Sequence, residues 1–421
     1  MVSFPPARQP EDPEPSRAGA APRHDETRAK GPFFFLHIRK TAGVSLRGLL
    51  ANRFPADRVL FQAHSVSGPQ QPGDALFATG HVGFDYAARF SVAPVIFTVL
   101  REPVARCVSA CTFFQSHSET FFHTLATELS SGEYQARRRF QEKARSLGTA
   151  RFLVEEETLA RHWLANVQTR QLAGAAGADL SDDDPRLLEA ALQHIMRVDL
   201  AGILEREADT LQLLGQMMGW SQFGPLLHLN RTPRSDLPPV DPESREILRC
   251  WNALDLQLYA EACRLFDDRL GASGAVPELA TAIGADGFTP DQPLHGFGWH
   301  EREHHEGRWL CWNSAAEATL NLRTATARPS RLQCLLSHVL NEEALRQLDI
   351  SLNGQPLVLR RCAVQGGILL EGDVPAHVWS ADADRALLTF RCPVMGCPPR
   401  VDDAPSDLRQ LGFALAKLRL F

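Results

Sequence analysis

The sequence predicts an α/β domain, a parallel sheet flanked by helices, followed by a smaller all-β sandwich domain, and three observations carry that expectation. Two continuous apolar runs, at 33–38 and 94–100, each pass through a short polar turn into a stretch with helical spacing. Strands that are apolar along their whole length and alternate with helices belong to parallel sheets covered on both faces. Beyond a stretch rich in Gly, Ala and Ser at 271–287, the pattern changes to short alternating runs punctuated by Asn353-Gly354 and Gly366-Gly367, the mark of antiparallel hairpins.

Along the chain, residues 1–30 come first, with six prolines, mixed charge and almost no aromatics. That composition buries too little apolar area to offset the entropy of ordering, so 1–30 reads as a disordered tail. It lacks the charged start and apolar run of a secretory signal, and acidic residues at 11, 12, 14, 25 and 26 argue against a mitochondrial presequence. The expected location is the cytoplasm, including a position peripheral to the inner membrane. The first unit is strand 33–38, the loop Arg39-Lys40-Thr41-Ala42-Gly43-Val44, and a helix opening at Ser45-Leu46. The second is strand 94–100, the turn Arg101-Glu102-Pro103, and a helix over 104–114 with Pro103 near its start. Residues 119–270 read as mainly helical, with loops at 173–186 and 228–242. The division is therefore 31–270 for the α/β domain, 271–287 for a linker and 288–421 for the sandwich, whose strands are expected at 318–322, 348–352, 367–370, 386–390 and 415–421. Each half should own its core, so the first should keep its ligands without the second.

Composition narrows the function. The 421 residues carry 44 basic and 50 acidic side chains, a net charge of −6, which gives no overall attraction for nucleic acid. No run approaches the ~18 apolar residues of a membrane helix. Nine Cys, an odd number without paired zinc spacing, fit a reducing compartment, and Cys107 and Cys111, one turn apart, read as helix packing. Among the 44 basic residues only Lys30, Lys40, Lys143 and Lys417 are Lys, so a Lys here is compositionally unexpected.

A strand that ends in a short loop entering a helix offers backbone N–H groups and a positive dipole end to a phosphate. The loop after Ile38 adds the Lys40 ammonium, the hydroxyls of Thr41 and Ser45, and small residues at Ala42 and Gly43. It is not a Walker A loop, because Lys40 precedes its Gly.

The stretch from His37 to Leu46 (HIRKTAGVSL) resembles the HIPKTAGTSL loop of sulfotransferases that use 3′-phosphoadenosine 5′-phosphosulfate (PAPS), nearest to the heparan-sulfate 2-O-sulfotransferase-like group. Leu100 to Ser109 (LREPVARCVS) resembles that family's LRDPVERxxS element, and Gly80-His81-Val82-Gly83 its Gly-His motif. Segments at 166–174, 228–235 and 252–259 look like later parts of the family, so the resemblance spans about 31–270. Arg39 stands where the family has Pro, and Val44 replaces a Thr, which removes one hydroxyl.

The resemblance implies a P-loop-like parallel sheet and sulfuryl transfer from PAPS to a hydroxyl of a carbohydrate, a bacterial surface polysaccharide or its lipid-linked precursor, without a metal. It implies that Arg39, Lys40, Thr41, Ala42, Gly43, Ser45 and Leu46 cradle the 5′-phosphosulfate, and that Arg101 and Ser109 hold the 3′-phosphate. Thr232 and Arg234 would contact the nucleotide, and His81 would act as catalytic base beside Lys40. A non-catalytic nucleotide- and glycan-binding protein and a nucleotide kinase are the competing readings. His64, His117 and His123 read as structural.

His300-Glu301-Arg302-Glu303-His304 satisfies the HExxH zinc pattern, but Gly296, Gly298 and Gly307 bracket it, and the chemistry needs both His on one helix face. It reads as a coincidence. The segment from Gly298 to Trp309, with 407–412, is similar to a β-sandwich module appended to bacterial glycosyltransferases.

Overall fold

A computed structural model describes residues 31–61, 64–65, 68–116, 131–219, 240–272, 280–325, 328–379, 384–398, 407 and 409–421. The expected tail 1–30, His117, His123, Thr232 and Arg234 lie outside the described residues.

The first apolar run forms β1 (Phe33–Leu36), followed by α1 (Gly43–Ala51), β2 (Val59–Leu60), β3 (Phe77–Gly80), β4 (Val95–Leu100) and α2 (Pro103–Ser116). Helices α3 (Ser131–Glu155), α4 (Glu157–Leu164), α5 (Val167–Ala173) and α6 (Pro185–Ile195) lead to β5 (Leu200–Ile203). Helices α7 (Glu207–Met218), α8 (Pro242–Trp251) and α9 (Ala253–Gly271) complete the domain. The five strands form one all-parallel sheet in the order β2-β3-β1-β4-β5. Strand β1 lies between β3 and β4, with Leu36 beside Gly80 on one side and Thr98 on the other. Phe34, Phe35 and Leu36 are buried, in one core with Leu46 and Leu50 of α1, Leu187 and Ile195 of α6, and Leu258 and Phe266 of α9. A continuous apolar strand is thus covered on both faces, as its composition requires.

Helix starts follow local chemistry. Asp184 and Asp241 precede Pro185 and Pro242, and each carboxylate accepts a hydrogen bond from a backbone N–H of the first turn it caps. Strand β5 falls inside 119–270, where the sequence reads as mainly helical; four residues between two helices leave too short a period to detect.

A buried polar junction joins two helices of the flanking layer. Asp255 of α9 is fully buried. It accepts from Gln168 N at 3.2 Å, Thr169 N at 2.7 Å and the Thr169 hydroxyl at 2.7 Å, so it caps α5 from another helix.

The second body contains β6 (Thr281–Ile283), β7 (Glu303–His305), β8 (Arg308–Trp312), β9 (Glu317–Thr324), β10 (Arg331–Val339) and the short α10 (Glu342–Arg346). It continues with β11 (Asp349–Leu352), β12 (Gln355–Pro356), β13 (Arg360–Val364), β14 (Gly367–Asp373), β15 (Arg385–Arg391) and β16 (Phe413–Leu420). One sheet runs β13-β14-β10-β16-β8-β7 and the other β12-β11-β15-β9-β6. Pairing is antiparallel except where β6 joins β9 in parallel. Leu336, Leu415 and Leu418 from one sheet share a buried cluster with Leu320, Ile350 and Phe390 from the other. Trp299 packs edge-on to Phe390 and Phe413 in that cluster, so it is a core residue. Asn353 and Gly354 adopt φ of 50° and 78°, the pair of left-handed residues that a tight hairpin turn demands.

One expectation meets a different local structure, and one sequence pattern takes the non-helical form its glycines implied. The linker stretch 271–287 contains β6, whose Thr281 and Ile283 are buried against β9. The HExxH pattern lies in extended chain: His300 is buried with Nε2 3.1 Å from the Gln410 carbonyl, and residues 303–305 are β7.

Replacing Asp255 by Ala should cost about 2–4 kcal/mol, because three donors lose a charged acceptor in a dry site. Urea unfolding of the variant measures this. A loss under about 1 kcal/mol, the net value of a single neutral bond, would show that the junction is not a structural anchor.

Candidate active site

The register of β1 with its neighbours brings the starts of three loops together, because Leu36, Gly80 and Thr98 stand side by side at the carboxyl edge. The chain leaves β1 into His37 and the loop to Ala42, leaves β3 into His81, and leaves β4 into Arg101. Ligands of open parallel sheets bind at this edge.

The His37 carbonyl is the first fixed point. It accepts from Gln171 Nε2 at 2.9 Å and lies 2.8 Å from His81 Nδ1. A carbonyl oxygen can only accept, so His81 carries a hydrogen on Nδ1, which in the neutral ring puts the lone pair on Nε2, the arrangement a proton acceptor needs. The two imidazoles stand 4.3 Å apart. The His37 ring packs against Gly43, where any Cβ would run into it, so position 43 excludes side chains and fixes how the loop enters α1.

The loop itself is curled. Lys40 and Ala42 have φ of 71° and 61°, on either side of Thr41. Such alternation turns successive amide N–H groups towards one concave side, the geometry that favours an anion. The Thr41 hydroxyl donates to the Ile38 carbonyl at 2.8 Å and the residue is fully buried, so this side chain ties the loop together. Leu46 is likewise committed: its N–H bonds to the Ala42 carbonyl and its side chain enters the core.

The two helix starts at this edge differ. Helix α2 carries its own anion, since the Glu102 carboxylate accepts from Val104 N at 3.1 Å and Ala105 N at 2.6 Å. Helix α1 has no side-chain cap and no acidic residue in its first turn. Its positive end is therefore the one an external anion can address.

Cations lie on the loop before it and at the end of β4. The Lys40 ammonium sits 3.8 Å from the centre of the Phe113 ring on α2, a cation–π contact. Burial, then the charges of Arg101 and Arg106, pull its pKa from 10.5 down to about 8. Arg101 Nη1 donates to the Lys40 carbonyl at 3.2 Å, and its Nε lies 4.0 Å from Glu205, so the guanidinium bridges the two strand-end loops. Gln168 holds the Arg101 main chain through both its N–H and its carbonyl, each at 2.9 Å. Ser109 precedes Phe113 by four residues on α2 and shares its face. Arg39 stacks over the Trp163 ring at 5.4 Å.

Of the expected site residues, Lys40 and Arg101 are in contact and His81 bonds to the main chain just before the Lys40 loop; Arg39, Thr41, Ala42, Gly43 and Ser45 lie in that loop and the first turn of α1, and Ser109 lies within α2. Gln168, Gln171, Asp255 and Phe113 support the site without having been singled out one by one. The first three lie in the segments 166–174 and 252–259, where the only signal was resemblance. Comparison with models of known protein families gives no match, and comparison with curated proteins gives none.

Two stability predictions follow from the loop. Ala42→Gly should stabilise the chain by about 1 kcal/mol: the left-handed conformation costs an L-residue roughly 1–2 kcal/mol, and the freer unfolded Gly returns part of that. An unchanged or lower urea midpoint would contradict the strained geometry. For Lys40, the folded chain loses its proton near pH 8 and the unfolded chain near 10.5. Between those values the unfolded state binds more protons, so the penalty of burying the ammonium is fully present below about pH 8 and is relieved as pH rises to 10.5. Lys40→Met should flatten that rise in the urea midpoint, and an identical slope in the variant would contradict the burial.

Proposed function

We propose that the chain is a PAPS-dependent sulfotransferase acting on a hydroxyl of a carbohydrate. The observation that carries the reading is the meeting of three motif-bearing loops at one sheet edge, with Lys40 and Arg101 in contact beside the uncapped start of α1. Under this reading the α/β domain is P-loop-like, with β1, the Lys40 loop and α1 as its phosphate-binding unit. Backbone N–H groups of the loop and the Lys40 ammonium bind the 5′-phosphosulfate, and Arg101 and Ser109 bind the 3′-phosphate. The fit rests on charge as well as shape, since the charges that press on Lys40 are both cations.

Sulfuryl transfer asks for in-line positioning and charge stabilisation, as phosphoryl transfer does. His81 Nε2 takes the proton of the acceptor hydroxyl as its oxygen bonds to sulfur. The bond from sulfur to the bridging phosphate oxygen breaks, and Lys40 stabilises the charge left there. Neither step calls for a metal. The two-sheet body is read as a sandwich that presents the glycan. Trp309 and Trp312, half-buried beside the exposed His304 and His338, offer rings on which a sugar can stack. Cytoplasmic placement goes with this reading, through a nucleotide donor made inside the cell.

Calorimetric titration with 3′-phosphoadenosine 5′-phosphate, 5′-AMP and ATP tests the donor site. The bisphosphate should bind without added metal and far more tightly than 5′-AMP. Equal affinity removes Arg101 and Ser109 from the site, and preference for ATP turns the reading towards a kinase. Transfer of labelled sulfate to a panel of glycans tests catalysis. His81→Ala should lower turnover by roughly 10²–10⁴ with nucleotide affinity unchanged. Lys40→Ala should weaken both, because one ammonium serves ground state and transition state. Full turnover in a stable His81→Ala protein would pass the role to His37.

A further inference from the structure

Helix α1 has nine residues, a length of about 13 Å, and isolated helices shorter than ~12–15 residues are marginal in water. Its amino end forms the candidate anion site. Its carboxyl end, where unpaired carbonyls need donors, is held by the other domain.

Arg302 does most of this. Its Nη2 donates to the Ala51 and Phe54 carbonyls, and Nη1 donates to the carbonyls of Pro290 at 2.9 Å, Asp291 at 3.1 Å and Gln292 at 3.3 Å. One guanidinium thus joins the end of α1 to the strand-free segment 290–292, and its charge faces the negative end of the helix. Asn52 completes the joint. Its Nδ2 donates to the His300 carbonyl at 2.7 Å, its Oδ1 accepts from Arg302 N at 3.2 Å, and its own carbonyl accepts from Leu294 N at 2.6 Å. Arg302 is 8 % exposed and Asn52 3 % exposed, so water does not supply these bonds. Gly48 lets the chain approach closely: a Cβ there would lie 3.3 Å from Glu301 Cβ, while Arg47 pairs with Glu301 at 2.9 Å on the rim.

We infer that Arg302, with Asn52, is a positioning residue for the Lys40 loop, acting through α1 from its opposite end, so that the second domain belongs to the support of the site and is not a detachable module. A helix transmits a shift of one end to the other, and the loop at its amino end has little independent stability because Lys40 and Ala42 hold left-handed conformations. This reverses the sequence-based expectation that the first domain keeps its ligands alone. It rests on the proposed function only for what the loop binds; the mechanical link between the ends of α1 stands apart from the reaction.

The test uses the full chain with two variants. Arg302→Gln removes the fork and the charge. Glu301→Lys sets a like charge against Arg47 at a partly exposed position, and it decides the matter if the first variant does not fold. Hydrogen exchange is followed by mass spectrometry in peptides covering 39–52 and 95–100. The expected result is at least tenfold faster exchange across 39–52 in Arg302→Gln and a smaller rise in Glu301→Lys, with 95–100 as protected as in the parent. In parallel, the Kd for 3′-phosphoadenosine 5′-phosphate and the KM for the sulfuryl donor should rise at least tenfold in Arg302→Gln, with kcat changed much less. Parental exchange across 39–52 overturns the inference. So does an even rise across both regions, which marks general destabilisation. A parent chain that binds no bisphosphate defeats the proposed function, yet the exchange result still decides the link.

Discussion

Strand β1 is bonded in parallel on both sides, and the rest of the α/β domain depends on that register. With Leu36 fixed between Gly80 and Thr98, the residues that follow each strand have no choice but to emerge side by side. A slip of one residue would turn the Phe34 and Phe35 side chains to opposite faces and separate His81 and Arg101 from the Lys40 loop. Close packing on both faces of β1 and β4 resists such a slip: α1, α6 and α9 contribute to the same core. The layout of the candidate site thus begins with core packing, because the sheet register sets where its loops start.

Much of this was legible in the sequence, and the reasons are local. The strands at 33–38 and 94–100 announced themselves by unbroken apolar runs, Pro103 by its place at a helix start, and Asn353-Gly354 by the turn that only such residues enter easily. Lys40 stood out against a background of arginine, and its loop sits at a helix amino end with a lowered pKa. The decoy at 300–304 was recognisable from its glycines, and the chain there is extended.

What stayed hidden depends on distance along the chain. Nothing near Gln168 says that its amide will pair with both main-chain groups of Arg101, 67 residues away. Asp255 caps a helix 86 residues before it, and Arg302 reaches carbonyls about 250 residues before it. Each of these polar residues has an ordinary local setting, and its importance comes from burial, which sequence pattern reports only for apolar side chains. The stretch at 271–287 shows the same limit: a composition suited to a linker also holds β6, because three residues of strand need no periodicity when a partner strand supplies the hydrogen bonds.

The chemistry at the two ends of α1 differs in its response to ionic strength. At the carboxyl end the acceptors of Arg302 are neutral carbonyls in a site closed to water, and dissolved ions have little purchase on bonds of that kind. At the amino end, under the proposed function, Lys40 and Arg101 would meet an anion, an interaction that added salt weakens. On that reading salt acts on the two ends separately, weakening anion binding at the loop while leaving the bonds of Arg302 in place. On the proposed reading, a chain in a fluctuating ionic environment would release its anion without coming apart.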